Sequence, residues 1–475
     1  MNSNANSNAA EPSRYFTVRA TRAMGRLSRG IGRFIFSRRM VWTMAVFASL
    51  LVLFYQYENW NGAREIAAAR EKMIKRIGTV DSMALLPAEV PEEENFFAIP
   101  VIKSWRVANP KAVGGFGTTI PEGLHPSREL IAQLAEGLNR PSSQLIPCRR
   151  LCVTEAGGDT ILANLPIFGG FFAFQEALAR QLGESAVTGD AATTRNLAGI
   201  MLKLSSAFST EPELVQAMVG RALHEVTLRA LNAGLSCASL TESDYTDIQN
   251  WLLKVDDLRQ METVFQNAAL QSGHMLIILK QASLNHDLDR YFGASGERNE
   301  DLWLKALRLG PVGWWDTSGA FAIEQHLTLC GNGGAENWRS GGAATRQIGE
   351  KVAKASTIRI VGNFGFLNLR RAVGCIVIPN VSNLWRMAAE NLVKRRCAIL
   401  TCALHRHRLL HGSYPATLTE LDASLLPGPL PDPARAEAPL NYRLTERGFL
   451  LWSVGLDRVD DGGDAEKDWI WRHEI

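Results

Sequence analysis

Residues 40–57 run without a single charge and constrain this chain more than any other stretch of it. As a helix, such a run extends about 27 Å, enough to cross the hydrocarbon core of a bilayer. It is apolar on every face, whereas a core helix of a soluble protein keeps a polar stripe. Trp42 lies near one end, and Tyr55, Tyr57 and Trp60 near the other, where interface aromatics belong. Arg38 and Arg39 abut its start, while Glu58 and mixed charge open the far side. The positive-inside rule then predicts a cytoplasmic N-terminus and an extracytoplasmic body. In a bacterium, that is a single-pass inner-membrane protein with a periplasmic body. The long preceding arm and the lack of a small-residue cleavage site speak against a cleaved signal peptide.

Charge is unevenly distributed. Residues 1–39 hold eight Arg and one Glu, a net +7, and the remainder of the 475-residue chain carries −4. The basic character therefore belongs to the arm and not to a nucleic-acid-binding body. Arg19, Arg22, Arg26, Arg29 and Arg33 recur every three or four residues, opposite Phe16, Met24, Leu27, Ile31 and Phe34. That segregation predicts an interfacial helix, so that residues 16–57 as a whole face lipid. An unstructured basic arm and a mitochondrial presequence are the alternatives. Of seven cysteines, none form C-x-x-C, and all read as small buried residues; Cys148 and Cys152 are close enough for a local bridge in an oxidising compartment.

Beyond the membrane segment, residues 61–77 read as a helical stalk. Two prolines and an acidic run over 87–95 read as an extended connector. Amphipathic periodicity predicts helices over 127–138, 165–182, 193–208, 211–231, 243–255 and 258–284, with Thr210 capping the fourth and Pro212 in its first turn. Thr241 and Asp244 have the spacing of a capping box. No fixed repeat period emerges, which favours a bundle over a solenoid. Residues 358–361 and 372–378 are β-branched enough for short strands, and buried helix would read similarly. A last long helix is expected from 383 to 411, with Ser382 as cap and Gly412 as stop.

No nucleophile elbow, zincin motif or phosphate-binding lysine loop occurs, and Gly114-Gly-Phe-Gly117 lacks the residues that would make it one. His407 and His411, four apart, share a helix face suited to zinc but have no third ligand, and a role against the helix dipole competes. His224 and His274 read as hydrogen-bonded packing residues, and Trp314-Trp315 as core. The acidic loop differs: Asp457, Asp460, Asp461, Asp464 and Asp468 crowd twelve residues around Gly462-Gly463. Such carboxylates either stay solvated or are relieved by a hard cation, and the spacing is not that of an EF-hand.

Gly412-Ser-Tyr-Pro415, Pro431-Asp-Pro433, Asn441-Tyr442, Ser453-Val-Gly-Leu-Asp457 and Asp468-Trp-Ile470 together resemble the soluble domain of major (G-type) pseudopilins of type II secretion. The resemblance implies a helix packed on a small antiparallel sheet and a calcium-binding loop before the last strand. Asp457 and Asp464 would be side-chain ligands, Asp468 would begin the last strand, and Asp460 and Asp461 would support. Pseudopilins carry their hydrophobic helix directly before this domain, whereas here more than 300 residues intervene. The family's cleavage-site Gly and the Glu five residues into the mature chain are absent, and Arg435-Ala-Glu-Ala438 replaces its usual Trp-Gly.

The expected architecture is therefore mainly α: a single N-terminal transmembrane helix, a helical-bundle ectodomain and a small C-terminal α+β module. Its parts are a cytoplasmic arm (1–39), the membrane helix (40–57), stalk and connector (58–126), helical body (127–382) and pseudopilin-like module (383–475). The expected role is structural or in protein interaction, with lipid and envelope proteins as partners, calcium as a stabilising ion and no nucleic acid. A divergent secretion pseudopilin and an envelope hydrolase with a site built from distant residues are the rival readings.

Overall fold

The computed structural model describes residues 38–81, 83–108, 125–145, 157–209, 211–255, 257–285, 309–331, 338–356, 359–361, 364–366, 369–378, 381–426, 428, 430–435 and 438–474. The Arg-rich arm, the Gly114 cluster, Thr210 and the Cys148–Cys152 pair lie outside them. Twelve α-helices stand among the described residues, with a two-stranded ribbon and a C-terminal three-stranded sheet.

Helix α1 (Arg38–Ile77) is a single unbroken 40-residue rod, so membrane segment and stalk are one element. It is the one described helix long and apolar enough to span a membrane. Its first half is bare: Val41, Trp42, Phe47, Leu50 and Leu53 are all exposed. Its second half is packed along α9 (Gly313–Leu329). The two helices cross at Gly62 and Gly313, where backbone meets backbone. A Cβ on Gly62 would overlap the Gly313 carbonyl, and one on Gly313 would overlap that of Glu58. Around the crossing, the Asn59 carboxamide accepts from the Gly313 amide at 2.8 Å, and the Trp314 indole donates to Glu58 at 3.0 Å. Arg370 pairs with the same Glu58 carboxylate at 2.9 Å. One turn after another, Ala69 and Met73 then bury against Leu270, Ala320 and Ile323.

The connector runs through a short 3₁₀ turn (Phe96–Ala98) into α2 (Pro100–Ala108) and α3 (Arg128–Ala135). Helices α4 (Gly157–Thr188), α5 (Ala191–Ser209), α6 (Leu214–Gly234) and α7 (Glu242–Leu253) form the main bundle. Helix α8 (Asp257–Leu284) packs on α9. Local chemistry sets the boundaries. Thr241 and Asp244 make the reciprocal capping box that their spacing predicts, with the Thr241 amide donating to Asp244 at 2.9 Å. Helix α6 starts later than expected: Glu213 caps it by accepting from the Gln216 amide at 2.7 Å, which leaves Pro212 ahead of the helix.

Helix α10 (Trp338–Ser356) leads to a hairpin of β1 (Arg359–Val361) and β2 (Phe364–Phe366). Residues 372–378, read as a strand from their branched side chains, instead belong to α11 (Leu369–Val377). Burial of Val373 and of Gly374 against the Ser318 carbonyl of α9 overrides the local preference. Helix α12 (Val381–His411) is the spine of the second half. Ser382 lies inside it, not at its cap, while Gly412 ends it as expected, with φ at +83°. The sheet β3 (Asn441–Thr445), β4 (Gly448–Ser453), β5 (Trp469–Glu474) is an antiparallel meander with β4 central and buried along its whole length.

Sheet and bundle share one core. Leu178, Leu182, Leu197 and Leu231 of the bundle, Ala398 and Leu404 of α12, and Phe449, Leu451 and Trp471 of the sheet form a single apolar cluster. The boundary expected at 382/383 thus crosses continuous packing. Overpacking a helix crossing this close costs about 2 kcal/mol or more. Gly313→Val is therefore expected to lower the melting temperature of the detergent-solubilised chain by several degrees. Gly342→Ala, where a new Cβ meets nothing closer than 3.8 Å, serves as the control and is expected to be neutral or slightly stabilising.

Candidate functional site

The C-terminal unit holds the carboxylates singled out in the sequence, and it is built around a different one. Asp432, between two prolines, is fully buried. One of its oxygens accepts from the Ser453 hydroxyl at 2.6 Å and the Ala434 amide at 2.9 Å, and the other accepts from the Val454 amide at 3.2 Å. Its own amide donates to the Ala438 carbonyl at 2.7 Å. Asp432 therefore ties the loop before β3 to the end of β4, which aims residues 455–468 outward.

In that loop, the five aspartates have separate occupations. Asp457 accepts from the Val459 amide at 3.1 Å and Asp464 from the Glu466 amide at 3.0 Å, each closing a local turn. Asp460 accepts from the Trp452 indole at 2.9 Å and pairs with Arg435 at 2.9 Å. These bonds hold its carboxyl below the usual range, the indole contact contributing most. Asp461 pairs with Lys467 at 3.0 Å, and that pairing raises the Lys467 ammonium. Asp468 is buried, and one of its oxygens accepts from the Gly463 amide at 2.8 Å while the other is buried without a partner. No three carboxylate, imidazole or thiol groups converge on a common point among the described residues. Arg435 and Lys467 supply part of the positive charge that the loop's composition demands.

A second constellation lies where β5 meets α12. His405 and His473 face each other with their Nε2 atoms 2.7 Å apart, both rings buried. The Tyr245 hydroxyl donates to the Leu235 carbonyl at 3.0 Å and lies 3.1 Å from His405 Nδ1. Because that hydroxyl's proton is already used, His405 Nδ1 must donate to it. His405 Nε2 is then the acceptor, and His473 Nε2 must donate to it. The chain of bonds His473 → His405 → Tyr245 → Leu235 requires a neutral His405, which donates at Nδ1 and accepts at Nε2. The Tyr245 ring stacks on His405 at 4.7 Å and Phe449 on His473 at 4.9 Å, which excludes water. Burial accordingly pulls His405 down to about 3, helped by His473 and Arg408, and pulls His473 down to about 4. Burial likewise holds His326, in α9, at about 4.

The other residues weighed in the sequence find ordinary places. His407 and His411 stack with ring centres 4.3 Å apart and gain no third ligand among the described residues. His224 is buried with its Nδ1 3.3 Å from the Ser205 hydroxyl, whereas His274 is exposed. Trp315 is core, while Trp314 meets Phe54 of the anchor edge-on at 6.5 Å. Cys237, Cys330, Cys397 and Cys402 are buried free thiols, and Cys375 is half-buried. Two cavities, of about 410 and 580 Å³, open on the body, and histidine lines neither of them.

Sequence reasoning passed over both Asp432 and the histidine pair. The signal for His473 was the strand period, which puts it on the same face as Trp471. Nothing in the sequence links it to His405, 68 residues away. No known protein family, curated protein or solved structure matches this chain.

Two outcomes are expected here. Asp432→Ala leaves the Val454 and Ala434 amides and the Ser453 hydroxyl without their acceptor, at a cost of about 3 kcal/mol in thermal or denaturant unfolding. For the histidines, the folded values lie below the ordinary one, so between them the unfolded chain binds more protons. Stability is thus fully present above about pH 6.5 and declines toward pH 4, by up to about 1.4 kcal/mol per pH unit for each group. Melting curves from pH 7.5 to 4.5 measure this, and His473→Gln should flatten the slope.

Proposed function

We propose that this chain is a single-pass membrane protein of the bacterial inner membrane whose extracytoplasmic body acts as a structural or interaction module. The observation that carries the reading is the division of α1: an exposed apolar half suited to lipid, followed without a break by a half packed into the body. Arg38 and Arg39 at one end, against Glu58 and mixed charge at the other, favour a cytoplasmic start. Because the stalk is locked to α9, the body is held at a fixed height and angle over the bilayer. The Tyr55 hydroxyl bonds the Leu309 carbonyl, which sets that height at the aromatic boundary of the membrane segment. A rigid mount suits a part that must present a surface to neighbours.

Helix α12 packed on an antiparallel meander supports the pseudopilin-like reading of the C-terminal unit. Its core, shared with α4–α6, favours a cap on this body over a subunit that assembles by itself. Topology is tested with C-terminal fusions in a bacterial host. An alkaline phosphatase fusion is expected to be active and a green fluorescent protein fusion dark, and the reverse pattern overturns the orientation.

A second reading, that calcium stabilises the acidic loop, rests on the unpartnered oxygen of Asp468, with Asp457 and Asp464 as the side-chain ligands that the pseudopilin resemblance implies. On that reading EGTA lowers the melting temperature by about 4 °C or more, and Asp468→Asn removes the difference. An unchanged melting temperature leaves the loop to Arg435 and Lys467.

A further inference from the structure

The cavity of about 410 Å³ lies between the connector, the segment after α3, and helices α5, α7 and α8. Its size is that of a small-molecule site. Its floor is apolar because Trp251 lies flat on α5. Gly199 makes this contact close: a Cβ there would meet the indole at 2.8 Å and Leu138 at 3.0 Å. The Arg195 guanidinium stacks on the indole ring at 5.3 Å and fixes it. Leu202 and Val255 complete the apolar surface.

The polar groups of the lining do not balance. Three cationic residues and one carboxylate line it: Arg140 donates to the Glu92 and Asn95 backbone carbonyls, Lys254 is exposed, Lys203 is half-buried, and Glu211 accepts from the Gln144 carboxamide at 2.7 Å. The Lys203 ammonium, on a half-buried side chain, donates to the Arg140 backbone carbonyl and pairs with no carboxylate among the described residues. Burial, reinforced by Lys254, pulls Lys203 down to about 8. Two residues of the lining, Ser143 and Gln260, each carry a side-chain oxygen that is closed to solvent and has no partner. A hydroxyl can donate to an anion, whereas an amide oxygen needs a donor. A half-buried ammonium that has a carbonyl acceptor but no carboxylate is stabilised when a ligand supplies the counter-charge.

We propose that this cavity binds a small monocarboxylate with an apolar side chain and an adjacent N–H donor, the chemistry of an N-acylated apolar amino acid. Its carboxylate meets Lys203 and Ser143, its N–H serves Gln260, and its side chain covers Trp251. Glu211 in the wall disfavours a doubly charged phosphate. Nothing in this inference depends on the membrane orientation or on calcium.

The test is calorimetric titration of the full chain in detergent micelles with N-acetyl-L-phenylalaninate, against empty micelles and against the uncharged N-acetyl-L-phenylalaninamide. The acid is expected to bind with a dissociation constant below about 1 mM and the amide at least about tenfold more weakly, a difference of about 1.4 kcal/mol. Lys203→Met should weaken the acid by a similar factor while Lys203→Arg keeps it, each variant being melted to confirm folding. For the unaltered chain, affinity for the acid should fall as pH rises from 7 to 9 and Lys203 loses its proton. Equal binding of acid and amide, undiminished binding by a folded Lys203→Met, a flat pH profile, or no heat at about 10 mM acid each overturns the proposal.

Discussion

The contact on which the rest depends is the crossing of α1 and α9 at Gly62 and Gly313, where two backbones touch with no side chain between them. A membrane helix followed by a flexible linker would leave the body free to tumble over the bilayer. Here one rod carries both the exposed apolar half and the half packed in the body, and the crossing allows the Asn59, Glu58 and Tyr55 side chains to reach their partners on the body. Glu58 is buried at that point and is neutralised by Arg370 and the Trp314 indole. A buried carboxylate without such partners would be strongly destabilising, so the crossing and the ion pair require each other.

From there, order passes through α9 to α8 and the rest of the body, and along α12 to the sheet. Helix α12 is held mainly by apolar side chains, with polar groups added at a few points. The Asn391 carboxamide donates to the Arg221 carbonyl at 2.8 Å, and Arg395 donates to the Leu252 carbonyl at 3.2 Å. At its end, His405 Nε2 accepts a hydrogen bond from His473 Nε2, so the last strand is fastened to the spine by a directional bond between buried rings. Such a bond adds little net energy at neutral pH, but it fixes register and makes the attachment of β5 sensitive to acid.

The C-terminal unit therefore consists of two differently organised parts. Its inner face is closed around Asp432, Phe449 and the imidazoles, with few groups left to bind anything. Its outer loop is a chain of Asx turns and ion pairs with cations close by in space, and there one oxygen of Asp468 stands apart as buried and unsatisfied. Ligand-ready asymmetry is more pronounced in the body, where Lys203 and its neighbours outnumber the single carboxylate facing them.

Much of this was readable from the chain alone, where the relevant physics is local. Eighteen uncharged residues form a helix long and apolar enough to span a membrane, the Thr241–Asp244 spacing makes a capping box, and Gly412 stops α12, because each effect acts within a turn or two of the backbone. Apolar periodicity located α4 to α8, though not their ends. Only tertiary structure decided the rest. Residues 372–378 became helix because of what packs on them. His405 met His473 because a strand returned to a helix begun 92 residues before it, and Lys203 lost its counter-ion because of which elements happen to wall its cavity. Pairings across such distances depend on how whole elements dock, and neighbouring residues carry no record of that.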